Sequence, residues 1–157
     1  MENRTAIAFD EALRRLQNYC AYQDRCNWEV KQKLKRMGAE SEDIEKIIGQ
    51  LNKQNYLNEE RFTKNFVRGK FINKKWGRQR LTLELTRRQV SKYHINLALS
   101  EISPLEYDQT FDRLAENYFR NLKETNKYKK RKKLANYLLY RGWESHLVYN
   151  KVKNLIP

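Results

Sequence analysis

The sequence predicts an all-α protein of three tandem three-helix repeats, drawn out into an elongated, curved array, and three observations carry that expectation. Proline occurs only at 104 and 157 and glycine only at 38, 49, 69, 77 and 142, so helix breakers are scarce among abundant Lys, Arg, Leu, Glu and Gln. Apolar residues recur at gaps of three and four, which places them on one face of a helix. Finally, one spacing pattern occurs three times. Val30, Leu34, Ile44, Ile48 and Leu51 reappear 51 residues later as Leu81, Leu85, Ile95, Leu99 and Ile102, and 53 residues beyond those as Leu134, Leu138, Val148, Val152 and Leu155. The gap of ten inside each set marks a common turn between two helices.

The units are residues 1–57, 58–106 and 107–157, each read as helices A, B and C. In the first, helix A covers Phe9–Gln23 with Leu13, Leu16 and Cys20 on one face. Asn27 is the expected N-cap of helix B, Trp28–Met37, with Gly38 as a left-handed stop. Ser41 is the expected cap of helix C, where Glu42 and Asp43 suit the positive N-terminal end. In the second unit helix A takes Glu59–Asn73 with Phe62, Phe66 and Phe71 inward, Gly77 begins helix B, and helix C starts around Ser91. The third places helix A near Tyr107–Lys123, helix B over Arg131–Tyr140 and helix C from Glu144. Gly142 recurs at the Gly38 position, whereas the middle unit has Gln89 there, so its turn is expected to be less well specified. Each unit alone encloses little, so neighbours must pack on one another.

A mean hydropathy of −0.99 would also suit a disordered chain, but three Trp, ten Tyr and six Phe at regular apolar spacing argue for a packed core. The formal net charge of +14 favours a polyanionic partner. By unit the charge is +1, +6 and +7, so the anion-facing surface is expected on the second and third. No run longer than eight residues lacks a charge, which excludes a membrane span. The opening MENRTAIAF carries no signal-peptide apolar region, pointing to a cytoplasmic protein. Cys20 and Cys26 read as free structural thiols, and two Cys with two His make no metal site. His94 and His146 have no catalytic partners. Phosphate-cradling, zinc-protease and nucleophile-elbow motifs are absent, so neither an enzyme nor a cofactor is expected.

Two basic clusters are the candidate binding residues. Asn58–Lys92 carries eleven Lys or Arg after Glu60 against the single acid Glu84. Arg61, Lys64, Arg68 and Lys75 follow helical spacing along one face. Lys70 and Lys74 add charge, Arg78 stands at the start of helix B, Arg80 and Arg87 lie seven apart, and Arg88 follows. Such a row can follow a phosphate backbone or an acidic protein groove; a solvated helix face is the plainer alternative. The second cluster is Lys127, Lys129, Lys130, Arg131, Lys132 and Lys133, at the entry to helix B of the third unit, with an irregular solvated loop as its alternative. Trp76 either stacks on a base, anchors a partner or plugs the joint between helices A and B. Trp28 and Trp143 read as packing residues, and the tyrosines are assigned no chemistry.

From about Ala12 to Leu155 the chain resembles the RecX family, bacterial regulators of the RecA recombinase. ALRRLQNYCAYQDRCNWEVKQKLKRMG is similar to the family's first motif, with Asn27 where Ser is usual and Val30 where Leu is usual. YLNEERFTKNFVRGK resembles its Tyr-Leu-Asn-Asp-x-Arg-Phe signature, and WGRQRLTLELTRRQV its Gly, basic, Leu, Glu-Leu pattern without the usual Gly before Val. The resemblance implies a RecA-binding modulator lodged in the groove of the RecA–DNA filament. It would restrain filament extension, ATP hydrolysis, strand exchange and co-protease activity in DNA repair and the SOS response. The implied partners are RecA and single- or double-stranded DNA, met by a monomer. A helical module that binds DNA without RecA is the alternative, and a scaffold whose charge serves only solubility is a second.

Overall fold

The computed structural model describes residues 7–157, and among them nine helices and no strand occur. The first unit contains α1 (Phe9–Tyr22), α2 (Asn27–Arg36) and α3 (Ser41–Lys53). The second contains α4 (Glu59–Lys74), α5 (Arg78–Arg87) and α6 (Lys92–Ser100), and the third α7 (Pro104–Asn121), α8 (Lys127–Tyr140) and α9 (Ser145–Leu155).

Twelve of the fifteen repeated aliphatic positions are buried, and Ile48, Leu99 and Leu155 are half-buried at the margins of the cores. The gap of ten is a left-handed turn repeated three times. The carbonyls of Leu34, Leu85 and Leu138 accept from the N–H groups of Ala39, Val90 and Trp143 at 3.1, 3.1 and 3.3 Å. The left-handed residue in each is Gly38 (φ +80°), Gln89 (φ +57°) and Gly142 (φ +86°). The glutamine therefore makes the same turn, held by the same hydrogen bonds, and the expected loss of definition does not occur.

Four local expectations are corrected. Cys26, not Asn27, is the N-cap of α2; its Sγ accepts from the Glu29 N–H while the Glu29 carboxylate accepts from the Cys26 N–H at 3.2 Å. Asn27 instead donates its N–H to Glu59 Oε1 at 2.8 Å, joining the first two units. Glu40, not Ser41, precedes α3, which leaves the serine inside the first turn, where it makes no cap. Helix α7 begins at Pro104 because Ser103 accepts from the Glu106 N–H and proline's missing N–H costs nothing at the first helical position. Helix α8 begins at Lys127, capped by Asn126 at 3.0 Å from the Lys129 N–H, so the tract 127–133 is helical and not a loop.

The core is in two pieces. Leu16, Val30, Leu34, Ile44, Ile47 and Leu51 form one within the first unit. The second and third units share the other, which runs from Phe71, Leu81 and Leu85 through Tyr107 and Phe111 to Leu134, Leu138 and Trp143. Cys26 reaches into this second core from the first unit, and Trp28 packs against it. The arrangement is extended: the chain exposes 10329 Å², where a compact monomer of 19.1 kDa would expose about 8,400 Å².

Candidate anion-binding surface

The second and third units meet backbone to backbone. Gly77 N–H donates to the Arg141 carbonyl at 2.8 Å and Gln79 N–H to the Gly142 carbonyl at 3.0 Å. A β-carbon on Gly77 would lie 2.5 Å from the Gly142 oxygen, and one on Gly142 would lie 2.3 Å from the Arg80 nitrogen. These two glycines allow the approach. Around them Trp143, fully buried, donates its indole N–H to the Lys75 carbonyl at 3.0 Å. The Tyr107 hydroxyl accepts from Arg78 N–H at 3.0 Å and donates to Glu144, whose other oxygen pairs with the Arg78 guanidinium at 3.2 Å. Burial, followed by the Glu144 contact, raises the Tyr107 pKa and keeps the phenol protonated.

Ion pairing divides the sequence-predicted residues. Arg61 is held by Asp24 at 3.2 Å and by the carbonyls of Asn55 and Tyr56, so it ties the first unit to the second. Lys64 bridges Glu60 and Glu101, Arg68 meets Glu106 at 2.9 Å, and Arg78 belongs to the joint described above. Arg87 and Arg88 share Glu84, and Lys133 lies 3.6 Å from Glu124. The face of α4 that reads as a continuous positive row is therefore largely neutralised by Asp24, Glu60, Glu101 and Glu106, of which only Glu60 belongs to α4. Among the described residues, Lys70, Lys74, Lys75, Arg80, Lys129, Lys130, Arg131 and Lys132 make no ion pair; Arg131 is spent on the Ile156 carbonyl at 2.9 Å, and Lys130 lies over the Phe119 ring at 4.7 Å.

Two further unpaired cations, Lys70 and Arg80, lie over aromatic rings together with the paired Arg88. Arg88 lies 5.0 Å from the Phe66 ring centroid, and Lys70 lies 5.7 Å from Phe66 and 5.4 Å from Trp76. Arg80 sits between Trp76 at 4.4 Å and Tyr140 at 4.6 Å, with its guanidinium donating to the Tyr140 carbonyl at 3.0 Å. From Tyr140 the strip continues along α8 through Asn136, Lys133 and Lys129, exposed residues whose spacing of 4, 3 and 4 puts them on one face. The two basic clusters, about fifty residues apart in sequence, thus form one surface across the joint. Trp76 is half-buried against the shared core, so it acts as the plug of the α4–α5 connection as well as a member of the strip.

Tyr140 is the residue that sequence reasoning passed over. Its signal was legible: Arg36 and Arg87 occupy its place in the other two units, and an aromatic at a position that is charged in two copies and exposed in the third is not a core residue. The two cysteines are buried and free, with thiol pKa values pushed by burial to about 11 for Cys20 and about 12 for Cys26. No cluster of three or more His, Cys, Asp or Glu among the described residues could hold a metal, and no helix there is long and apolar enough to cross a membrane.

A tandem row of three-helix units with a cation–aromatic strip on its surface defines a helical-repeat protein. Models of the first, second and third three-helix domains of RecX match residues 8–51, 58–99 and 106–152 respectively. The regulatory protein RecX of Prosthecochloris aestuarii is 30% identical over 148 residues, 93% of this chain and 94% of that protein. That of Vibrio campbellii is 32% identical over 120 residues, 76% of each. The crystal structure of RecX from Lactobacillus salivarius superposes with a TM-score of 0.78 at 20% identity, covering 94% of this chain and 96% of that one. The chain belongs to the RecX family. It spans about 60% of the length of the regulatory proteins RecX of Clostridium perfringens and Clostridium beijerinckii.

Proposed function

We propose that this protein is a regulator that binds the RecA recombinase in its DNA-bound filament and restrains the filament's ATP hydrolysis, strand exchange and co-protease activity, without catalysis of its own. RecX membership supports the regulatory role, and the observation that carries the binding mode is the single positive strip of the second and third units. A filament groove presents phosphates and acidic side chains at intervals, and a row of cations on rigid helices matches that periodicity. The nearly neutral first unit, with its separate core, is left for protein contact.

The test is RecA's single-stranded-DNA-dependent ATPase with and without the protein. Inhibition is expected. Lys74→Glu, Lys129→Glu and Lys132→Glu together should abolish it without loss of helicity, because all three are exposed and unpaired. Wild-type protein that binds DNA tightly yet leaves the ATPase unchanged would instead make this a DNA-binding module acting without RecA.

A further inference from the structure

Tyr140 is the last residue of α8, and its side chain is 72% exposed. It forms the wall between two surface hollows. Arg80, Leu83, Arg87 and Gly142 line one, and Lys133, Asn136, Tyr137 and Arg141 line the other. Arg80 covers one side of its ring at 4.6 Å. The neighbouring rings have less to offer. Tyr137 is stacked on Tyr118 at 3.8 Å with Arg141 also 3.8 Å from its centroid, and Trp76 and Phe66 are half-buried under Lys70, Arg80 and Arg88. Tyr140 is thus the well-exposed ring at the joint, raised between two cation-lined hollows, whereas the exposed Tyr128 lies at the far end of α8.

We propose that Tyr140 is a base-stacking ridge for single-stranded nucleic acid, with the strand crossing the joint between the second and third units. A base stacks on the exposed ring, while the phosphates on either side lie against Arg80 and Arg87 in one hollow and Lys133 and Arg141 in the other. Stacking on a surface ring needs a base with a free face, which a duplex does not present along its length. The acid in the first hollow, Glu84, is already shared by Arg87 and Arg88, so two positive charges meet one negative there. Arg80 stacked on Tyr140 keeps the ring in place and adds charge where the backbone passes. This inference deepens the proposed function, since the strand inside a recombinase filament is the natural source of such a ligand, but it does not need the recombinase to be tested.

The experiment is anisotropy of a fluorescein-labelled oligothymidylate of about 20 nucleotides, long enough to span a typical single-strand site. It is titrated with wild type, Tyr140→Ala, Tyr140→Phe and the control Tyr149→Ala, an exposed tyrosine on α9 outside the strip. Loss of one stacked base predicts affinity roughly tenfold weaker for Tyr140→Ala, with Tyr140→Phe and Tyr149→Ala near wild type. Circular dichroism of each variant verifies that the fold is kept. Tyr140→Ala binding within twofold of wild type overturns the proposal, as does equal weakening towards a duplex of the same length. So does displacement of the oligonucleotide by polyglutamate as readily as by unlabelled strand, since that marks a surface for any polyanion. The ATPase assay separates the two readings: inhibition that survives Tyr140→Ala with no oligonucleotide binding by wild type sinks the stacking ridge alone, and Tyr140-dependent oligonucleotide binding without inhibition sinks the recombinase regulator alone.

Discussion

Substituting alanine at Gly38, Gly77 and Gly142 separates two costs that usually arrive together. Gly38 has φ +80° with open space where a β-carbon would go, so Gly38→Ala meets only the left-handed penalty, roughly 1–2 kcal/mol, partly offset by about 0.4–1 kcal/mol from a less flexible unfolded chain. Gly77 has φ −81°, which any residue adopts, but its β-carbon would lie 2.5–2.8 Å from Gly142 and Trp143 backbone. Relieving that clash separates the second and third units and breaks two backbone hydrogen bonds, from Gly77 N–H and Gln79 N–H, worth about 1–3 kcal/mol together. Gly142 carries both costs, with φ +86° and a β-carbon 2.3 Å from Arg80, so Gly142→Ala should lose about 2–4 kcal/mol. For a chain of this length that is a fall in Tm of roughly 4–16 °C. Thermal and urea denaturation followed at 222 nm, with tryptophan emission reporting the environment of buried Trp143, measures all three. If Gly142→Ala is no more destabilising than Gly38→Ala, the close approach of the two units is not what the glycine serves, and the account of the joint is wrong.

Four further outcomes follow from the same contacts. Tyr107→Phe removes the hydroxyl that serves both Arg78 N–H and Glu144, and should cost about 1–3 kcal/mol in urea denaturation by leaving buried polar groups unpaired. Burial raises the Glu59 pKa, against the hydrogen bond from Asn27 N–H, so the unfolded chain loses this proton first as pH rises through the ordinary carboxylate range. Folding stability contributed by Glu59 therefore falls through that window, and Glu59→Gln should gain on wild type between pH 4 and pH 7; a stability difference independent of pH would refute the assignment. Cys20 and Cys26 should react with a disulfide reagent in native protein only as fast as the structure opens, since both are buried and their thiolates suppressed, and fast titration of both thiols would contradict this. Lys129→Gln and Lys132→Gln should each lower the slope of log affinity against log salt for single-stranded DNA by about 0.7; an unchanged slope removes these residues from the contact.

Much of the fold was legible because it is local. A fifteen-position aliphatic pattern can be read from spacing alone, and the turns within it depend on hydrogen bonds five residues apart, such as Val90 N–H to the Leu85 carbonyl. The same short range explains why Gln89 succeeds at the glycine position. Its side chain is exposed, and the surrounding bonds hold the backbone at the left-handed φ despite the cost of a β-carbon there. Helix starts were less legible, because the cap at Cys26 depends on a reciprocal bond with Glu29 and Asn27 is drawn away by Glu59, 32 residues on.

The sequence by itself determined the all-helical class, the triplication, the burial of nearly every repeated aliphatic residue and the lopsided charge, since each depends on composition or on a period of three to four residues. The tertiary structure alone decided which cations remain available. Arg61 meets Asp24 across 37 residues, Lys64 meets Glu101 across 37 and Arg68 meets Glu106 across 38, while Arg80 reaches the Tyr140 carbonyl across 60. Lys64 and Glu101 meet by the packing of α4 on the end of α6, and the other three pairings depend on how one unit is set on the next. Between the second and third units that setting is fixed by where backbones can approach, at Gly77 and Gly142, and by the rings packed around Trp143. No local period encodes it, so the sequence could place positive charge on two units but not say which charges would face solvent as one strip.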